Sequence, residues 1–313
     1  MSKFSDQVLL FFKGLAMGAA DVVPGVSGGT IAFVTGIYVE LVDTIKSLNL
    51  HALRLLKTDG LTTFWRYVNG NFIVILLLGI LTSLFSLANV MKFLLIEYPL
   101  PLWSFFSGLI IGSVVFLLRK SPPRETSEIL LFLVGIALAY GISVSPPVAL
   151  EGTLVMMFFA GSIALCAMIL PGISGSFILV LLGLYPVFID AIAELQIDIL
   201  VAFALGGLLG LMLFSRLLSW LLTNFQSTVL ATMCGFLVGS LNVIWPWKSI
   251  VSSMVTSSGK TLVLASQNLS PDSYAQLTGQ DPLTSLCLLL FCLGALLVLG
   301  LELLGKTTAS PVS

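Results

Sequence analysis

The sequence predicts an all-α polytopic integral membrane protein built from two inverted-topology repeats, each a re-entrant or broken helix hairpin plus three transmembrane helices. Three observations predict it. The 313 residues are 58% hydrophobic and only 9% charged, whereas a soluble domain carries roughly 25% charged residues. A Pro-Gly interruption inside apolar sequence, PGVSGG at Pro24–Gly29, recurs as PGISGS at Pro171–Ser176, 171 − 24 = 147 residues later. The few cations fall unevenly between alternate loops. With a net charge of −1, no nucleic-acid partner is expected.

The first repeat covers residues 1–150. Residues 8–20 are a short apolar leg, about 20 Å at 1.5 Å per residue, less than the roughly 30 Å hydrocarbon core. The break at Pro24–Gly29 follows, and a return leg runs from Thr30 to about Ile45, so 8–45 reads as a hairpin. Residues 46–70 form a polar loop with Lys46, His51, Arg54, Lys57 and Arg66, and 52–57 fits a short surface helix. Spans follow at 72–95, 101–118 and 129–144, the last closed by Pro146 and Pro147. The second repeat, 151–313, restarts the pattern. A leg at 154–170, the break and a return leg to 192 make the hairpin 154–192, with spans at 199–222, 229–246 and 284–304. The Ser-rich stretch 249–282 has no sustained periodicity and reads as an extramembrane loop. Lys13 interrupts the first apolar run and no small-residue cleavage site follows, so no cleavable signal is expected.

The echo extends beyond the motif. Gly36, Tyr38 and Asp43 align with Gly183, Tyr185 and Asp190 at the same offset of 147. Leu78-Gly79 and Gly108-x-x-x-Gly112-Ser113 align with Leu205-Gly206 and Gly235-x-x-x-Gly239-Ser240 at 127, and Gly135 and Gly141 align with Gly294 and Gly300 at 159. Each change of offset falls on an expected loop. A hairpin plus three spans crosses an odd number of times, so consecutive halves are inverted. With both termini cytoplasmic, the inside holds Lys3, Lys13, Lys46, Arg54, Lys57, Arg66, Arg119, Lys120, Arg124, Arg216 and Lys306, and the outside Lys92, Lys248 and Lys260. Eleven against three is a positive-inside bias. The first break then opens to the cytoplasm and the second to the outside, as in secondary transporters whose broken helices build a midplane site.

Each break can offer backbone N–H groups at a new helix start, carrying about half a positive charge. Glycines allow close approach, and Ser27, Thr30, Ser174 and Ser176 add hydroxyls. Phosphate is a common guest of such geometry. The candidate substrate-binding set is therefore Pro24, Gly25, Ser27, Gly28, Gly29, Thr30, Pro171, Gly172, Ser174, Gly175 and Ser176. The plainer alternative is a pair of helix kinks that hold nothing. Asp21 either caps the first break or carries a proton, and its counterpart in the echo is Met168. Lys13 pairs with Asp21 or the anion, or snorkels to the interface. Arg216 meets the head group or anchors at the interface. Asp43 and Asp190 end their return legs, where hydration suffices, and Trp245 and Trp247 fit an interfacial aromatic belt.

GVSG and GISG also match a serine-protease G-x-S-G, but that chemistry needs a base. The one histidine, His51, lies in a loop, so no enzyme is expected. Cys166, Cys234, Cys287 and Cys292 show no metal-ligand spacing, so no metal or cofactor is expected. A secondary carrier or channel for a small inorganic or organic anion is the alternative function, with a purely structural membrane protein behind it.

GLAMGAADVVPGVSGGTIAFVTGIYVELVDTI at Gly14–Ile45, its echo MILPGISGSFILVLLGLYPVFIDAI at Met168–Ile192, and SRLLSWLL at Ser215–Leu222 resemble the bacterial PopT-type family of polyprenyl-phosphate translocases. The resemblance covers essentially the whole chain, with the stretch 249–282 less clearly matched. It implies a lipid transporter in the bacterial cytoplasmic membrane that returns undecaprenyl phosphate from the outer to the inner leaflet for cell-envelope synthesis. Pro24–Thr30 and Pro171–Ser176 would then cradle the phosphate, with Asp21 and Arg216 nearby.

Overall fold

A computed structural model describes residues 3–22, 27–148, 150–255 and 261–308. The chain is mostly helical. The first apolar leg is longer than expected: α1 is Lys3–Val22, twenty residues and about 30 Å long. After the break come α2 (Gly28–Val34) and α3 (Tyr38–Ser47). The continuous return leg expected over 30–45 is bent by 120° between them, at Gly36, whose φ of +75° suits a residue without Cβ. Surface helices α4 (Leu50–Thr58) and α5 (Gly60–Tyr67) occupy the polar loop. The expected span 72–95 is divided at Leu87 into α6 (Gly70–Ser86) and α7 (Ala88–Glu97). Thr82 and Ser86 hydroxyls donate back to the carbonyls of Leu78 and Thr82, bonds that bend a helix.

The next two spans appear as α8 (Pro99–Lys120) and α9 (Thr126–Val144), the latter opened by a capping box between Glu125 and Glu128. Then follow α10 (Leu154–Ile169), α11 (Gly175–Leu181) and α12 (Tyr185–Ala193). The second return leg is also not continuous. It bends by 116° at Gly183, φ +70°. The N–H groups of Val148 and Leu150 donate to the carbonyls of Leu181 and Leu182. The end of α11 therefore lies beside the chain leading into α10. The chain continues through α13 (Ile197–Asn224) and α14 (Gln226–Ser240), which ends six residues before the expected 246 in a turn ahead of Pro246.

The stretch 249–282 departs from the all-α expectation. It carries an antiparallel hairpin, β1 (Lys248–Val255) with β2 (Thr261–Asn268), and a helix α15 (Pro271–Thr278). Serines between the apolar residues of KSIVSSMV hide a strand in what looks like loop composition. The two tryptophans expected in an aromatic belt fasten this excursion: Trp245 Nε1 donates to Leu269 O at 2.8 Å and Trp247 Nε1 to Pro282 O at 2.9 Å. Lys248 donates to the Val243 carbonyl, and burial pulls its ammonium pKa down to about 8. The last expected span falls on the helix α16 (Thr284–Thr308).

Among the described residues, α8, α9 and α13 are long and apolar enough to cross a bilayer, and α2–α3, α5–α6 and α11–α12 are bent pairs of sufficient combined length and hydropathy. The principal helix pairs are α1 with α6, α10 with α13, α8 with α16 and α9 with α14. Each is sealed by a glycine on both partners: Gly14 and Gly79, Gly161 and Gly206, Gly108 and Gly294, Gly235 and Gly135. At each of these a Cβ would fall within 2.4 Å of a carbonyl oxygen on the facing helix. Without a hydrophobic drive between helices in lipid, such close backbone packing is a main source of association. The largest apolar cluster takes in Phe33 and Val42 of the bent α2–α3 pair together with Phe106, Ile110, Leu218 and Leu237.

Gly206→Leu places its side chain where a Cβ already stands 1.8 Å from the Phe158 carbonyl, whereas Gly141 has nothing within 4 Å. Overpacking costs about 1–3 kcal/mol or more. The expected outcome is a lower melting temperature in detergent for Gly206→Leu and little change for Gly141→Leu.

Candidate functional site

The two breaks meet each other. Ser27 is the N-cap of α2, in extended backbone at φ −118° and ψ 136°. Its Oγ accepts from the Gly29 N–H at 3.1 Å and donates across to the Met168 carbonyl at 2.9 Å. In return the Gly172 N–H donates to Thr30 Oγ1 at 2.9 Å. Gly29 makes the approach possible, because a Cβ there would stand 2.5 Å from Met168 O and 2.7 Å from Ile169 O. Ser27, Thr30 and Ser174 are buried, and Pro171 is fully so. Pro24 and Gly25 lie outside the described residues.

The breaks differ at their helix starts. Asp21 Oδ1 accepts from the Gly28 N–H at 2.7 Å, so the carboxylate caps α2. With Ser27 taking the Gly29 N–H and the Ser27 carbonyl accepting from Thr30, the start of α2 is satisfied within the protein. At the second break Ser174 makes no side-chain cap bond. Its Oγ instead shares a 2.8 Å hydrogen bond with Ser176 Oγ. Gly172 turns there with φ +85°. A cavity of about 10 Å³, room for about one water, lies beside it, lined by Gly172, Ser174, Phe177, Ser143, Ser240 and Val243.

The flanking charges are placed apart from this junction. Lys13 Nζ donates to the Thr35 carbonyl at 2.7 Å, at the C-cap of α2, where a cation complements the helix end. Arg216 stands at an exposed position of α13, and among the described residues no hydrogen bond joins it to either break.

Sequence reasoning missed a second feature. An open cavity of about 530 Å³ lies along α3, lined by Gly36, Glu40, Asp43, Ser47, Tyr67 and Asn69 among others. Asp43 is not simply hydrated: Ser219 donates to its Oδ1 at 2.6 Å and accepts from Lys46 Nζ at 3.0 Å, tying α3 to α13. The repeated Asp43/Asp190 pair was the available signal, but nothing in sequence pairs Asp43 with a serine 176 positions away. The Tyr38 hydroxyl, in the helical turn that follows Gly36, is buried with no hydrogen-bond partner among the described residues, as is that of Ser83.

Bent helices and broken hairpins meeting inside an apolar bundle define a multi-pass membrane protein with a polar junction at its centre. Residues 17–262 match the VCA0040-like family, described as undecaprenyl phosphate translocase-like, and the chain belongs to that family. It is 47% identical over 300 residues to a polyprenyl-phosphate transporter of Vibrio cholerae, covering 96% of this chain and 97% of the relative. It is 34% identical over 252 residues to a polyprenyl-phosphate transporter of Staphylococcus aureus, covering 75% and 84%. No solved structure matches the chain.

Thr30→Val keeps the shape but removes the acceptor of the Gly172 N–H. Leaving a buried donor unpaired costs about 1–3 kcal/mol. The melting temperature is expected to fall for Thr30→Val and to stay close to wild type for Thr30→Ser.

Proposed function

We propose that the chain carries undecaprenyl phosphate, or a related polyprenyl phosphate, from the outer to the inner leaflet of the bacterial cytoplasmic membrane, recycling the carrier lipid of envelope synthesis. The family match and the name carried by a relative of 47% identity over nearly the full length support the transported class. The observation that carries the site is the reciprocal bonding of the two breaks, Ser27 to Met168 and Gly172 to Thr30. That bonding supports a reading in which the described residues of both breaks serve one head group.

In this reading Ser27, Gly28, Gly29 and Thr30 face Pro171, Gly172, Ser174, Gly175 and Ser176 across the phosphate path, and Pro24 and Gly25, outside the described residues, complete the proposed set. Asp21 holds an N–H that an arriving phosphate would claim. Lys13 and Arg216 serve at the margins rather than as direct ligands. The isoprenoid tail stays in lipid while the head group crosses. Both termini are cytoplasmic.

Two inverted repeats, 1–150 and 151–313, supply the alternating geometry. The glycine seams support this organisation. The pair Gly14–Gly79 becomes Gly161–Gly206 under the sequence offsets of 147 and 127. Gly108–Gly294 becomes Gly235–Gly135 when residues exchange by 127 and 159. Mutual exchange of contacts is what a two-fold relation between halves requires.

The test is movement of labelled undecaprenyl phosphate between leaflets of vesicles containing the purified protein. A hydrogen bond to a charged group is worth about 1.5–3 kcal/mol, so Ser27→Ala with Ser174→Ala is expected to slow transport by about ten-fold or more. Ser174→Ala alone, whose side-chain partner among the described residues is Ser176, gives the same direction without touching the inter-break bond. Normal rates in both variants remove the site assignment. Equal flux of inorganic phosphate or chloride favours a small-anion carrier.

A further inference from the structure

Neither α4 nor α5 is a span by itself. At nine and eight residues they are too short to cross a bilayer, and α5 has no buried residue. Yet they display large apolar side chains: Leu50 is 79% exposed, Leu53 55%, Leu61 66%. Trp65 is exposed beside them. Arg54, Lys57 and Arg66 interleave with these residues and are exposed too. The one acid of the two helices and their linker is Asp59, so the segment is 3 − 1 = +2. Apolar surface interleaved with cations on short helices suits the boundary of an anionic bilayer, where leucines enter the acyl region and cations meet head groups.

The attachment has the matching orientation. At Asn69, φ +50°, the chain turns by 67° from α5 into α6. With α6 near the bilayer normal, α5 lies closer to the membrane plane than to the normal. The segment is also held rigidly. Asn49 caps α4 through the Ala52 N–H at 3.0 Å and donates to Tyr67 Oη at 3.1 Å. His51 meets the Tyr67 ring edge-on at 5.3 Å. Asn69 donates to Glu40 Oε1 at 2.8 Å. Tyr67 and Asn69 are themselves wall residues of the 530 Å³ cavity along α3. In the sequence this is where the first half exceeds the second by 147 − 127 = 20 residues, so the second half has no counterpart on the other face.

We infer that α4–α5 is an interfacial platform that binds the anionic phospholipid head groups of the cytoplasmic leaflet and sets the wall of the cavity beside α3. The assignment to the cytoplasmic leaflet rests on the orientation given under the proposed function. The platform makes leaflet composition an input to transport: head groups on Arg54 and Lys57 hold α4, those on Arg66 hold α5, and the two helices set Tyr67 and the adjoining Asn69.

Two measurements test it on the full-length protein. In the first, transport of labelled undecaprenyl phosphate is compared in phosphatidylcholine vesicles with and without phosphatidylglycerol. Wild type is expected to be stimulated by the anionic lipid. Each basic side chain near an anionic surface changes binding by about five-fold, so Arg54→Gln/Lys57→Gln/Arg66→Gln is expected to lose most of the stimulation while keeping the rate in neutral vesicles. A wild type indifferent to phosphatidylglycerol, or a variant that keeps the full response, overturns the inference. In the second, Trp65 fluorescence is taken as the difference between wild type and Trp65→Phe, with lipids brominated near the glycerol. Quenching is expected. Its absence overturns the platform and points to a protein partner or a second copy on this surface. If wild type moves no polyprenyl phosphate in any vesicle, the proposed function fails, and the quenching measurement still decides the platform.

Discussion

Two hydrogen bonds across the centre of the molecule, from the Ser27 hydroxyl to the Met168 carbonyl and from the Gly172 N–H to the Thr30 hydroxyl, set the terms for the rest of the fold. Backbone that leaves a helix at membrane depth exposes groups that lipid cannot satisfy, each at a cost of several kcal/mol. One broken helix alone would need water or a lining of polar side chains. Here each break supplies the other. The serine and threonine that serve as helix-start residues in one hairpin complete the backbone bonding of the other, and Gly29 removes the side chain that would hold them apart.

That junction constrains the packing around it. The hairpins can meet only if the helices that carry them are held at fixed depth. The seams of α1 on α6 and α10 on α13 do this with glycines on both partners. The seams of α8 on α16 and α9 on α14 join the early part of the chain to the late part in the same way. In lipid, where apolar surface alone does not drive helices together, contact at backbone distance supplies the dispersion and weak hydrogen bonding that does. The bent α2–α3 pair then sits inside the largest apolar cluster, its Phe33 edge-on to Tyr38 at 5.4 Å, so the polar junction is built on a packed support.

Much of this was legible in the sequence because it is written in residue types with one physical use. Pro-Gly within apolar runs marks a break, and Gly79, Gly108, Gly135 and their echoes, read in the sequence as repeat correspondences, fall on the helix seams. What could not be read depends on partners far apart in the chain. Ser27 was read as a donor to a ligand, whereas in the structure its hydroxyl is engaged with Gly29 and Met168. Lys13 had three open assignments, and none of them pointed to its bond to the Thr35 carbonyl. The bends at Gly36 and Gly183 passed as continuous helix because the flanking residues remain apolar. The hairpin β1–β2 was missed because its serines mimic loop composition.

The two breaks are alike in sequence and unlike in state. The first is closed from within, its N–H groups held by Asp21 and Ser27. The second has methionine where the first has aspartate and no side-chain cap at Ser174, and Ser174 lines a cavity no larger than a water. The large opening lies elsewhere, along α3. Under the proposed function this asymmetry carries mechanism. An anion arriving at the second break finds hydroxyls without competing charge, but only after the cavity widens. To engage the first break it must displace a carboxylate from Gly28, and two anions cannot share that N–H. Movement of the phosphate past the junction therefore requires Asp21 to leave or to be neutralised, and the acid that looks misplaced beside an anion path becomes the group whose departure admits it.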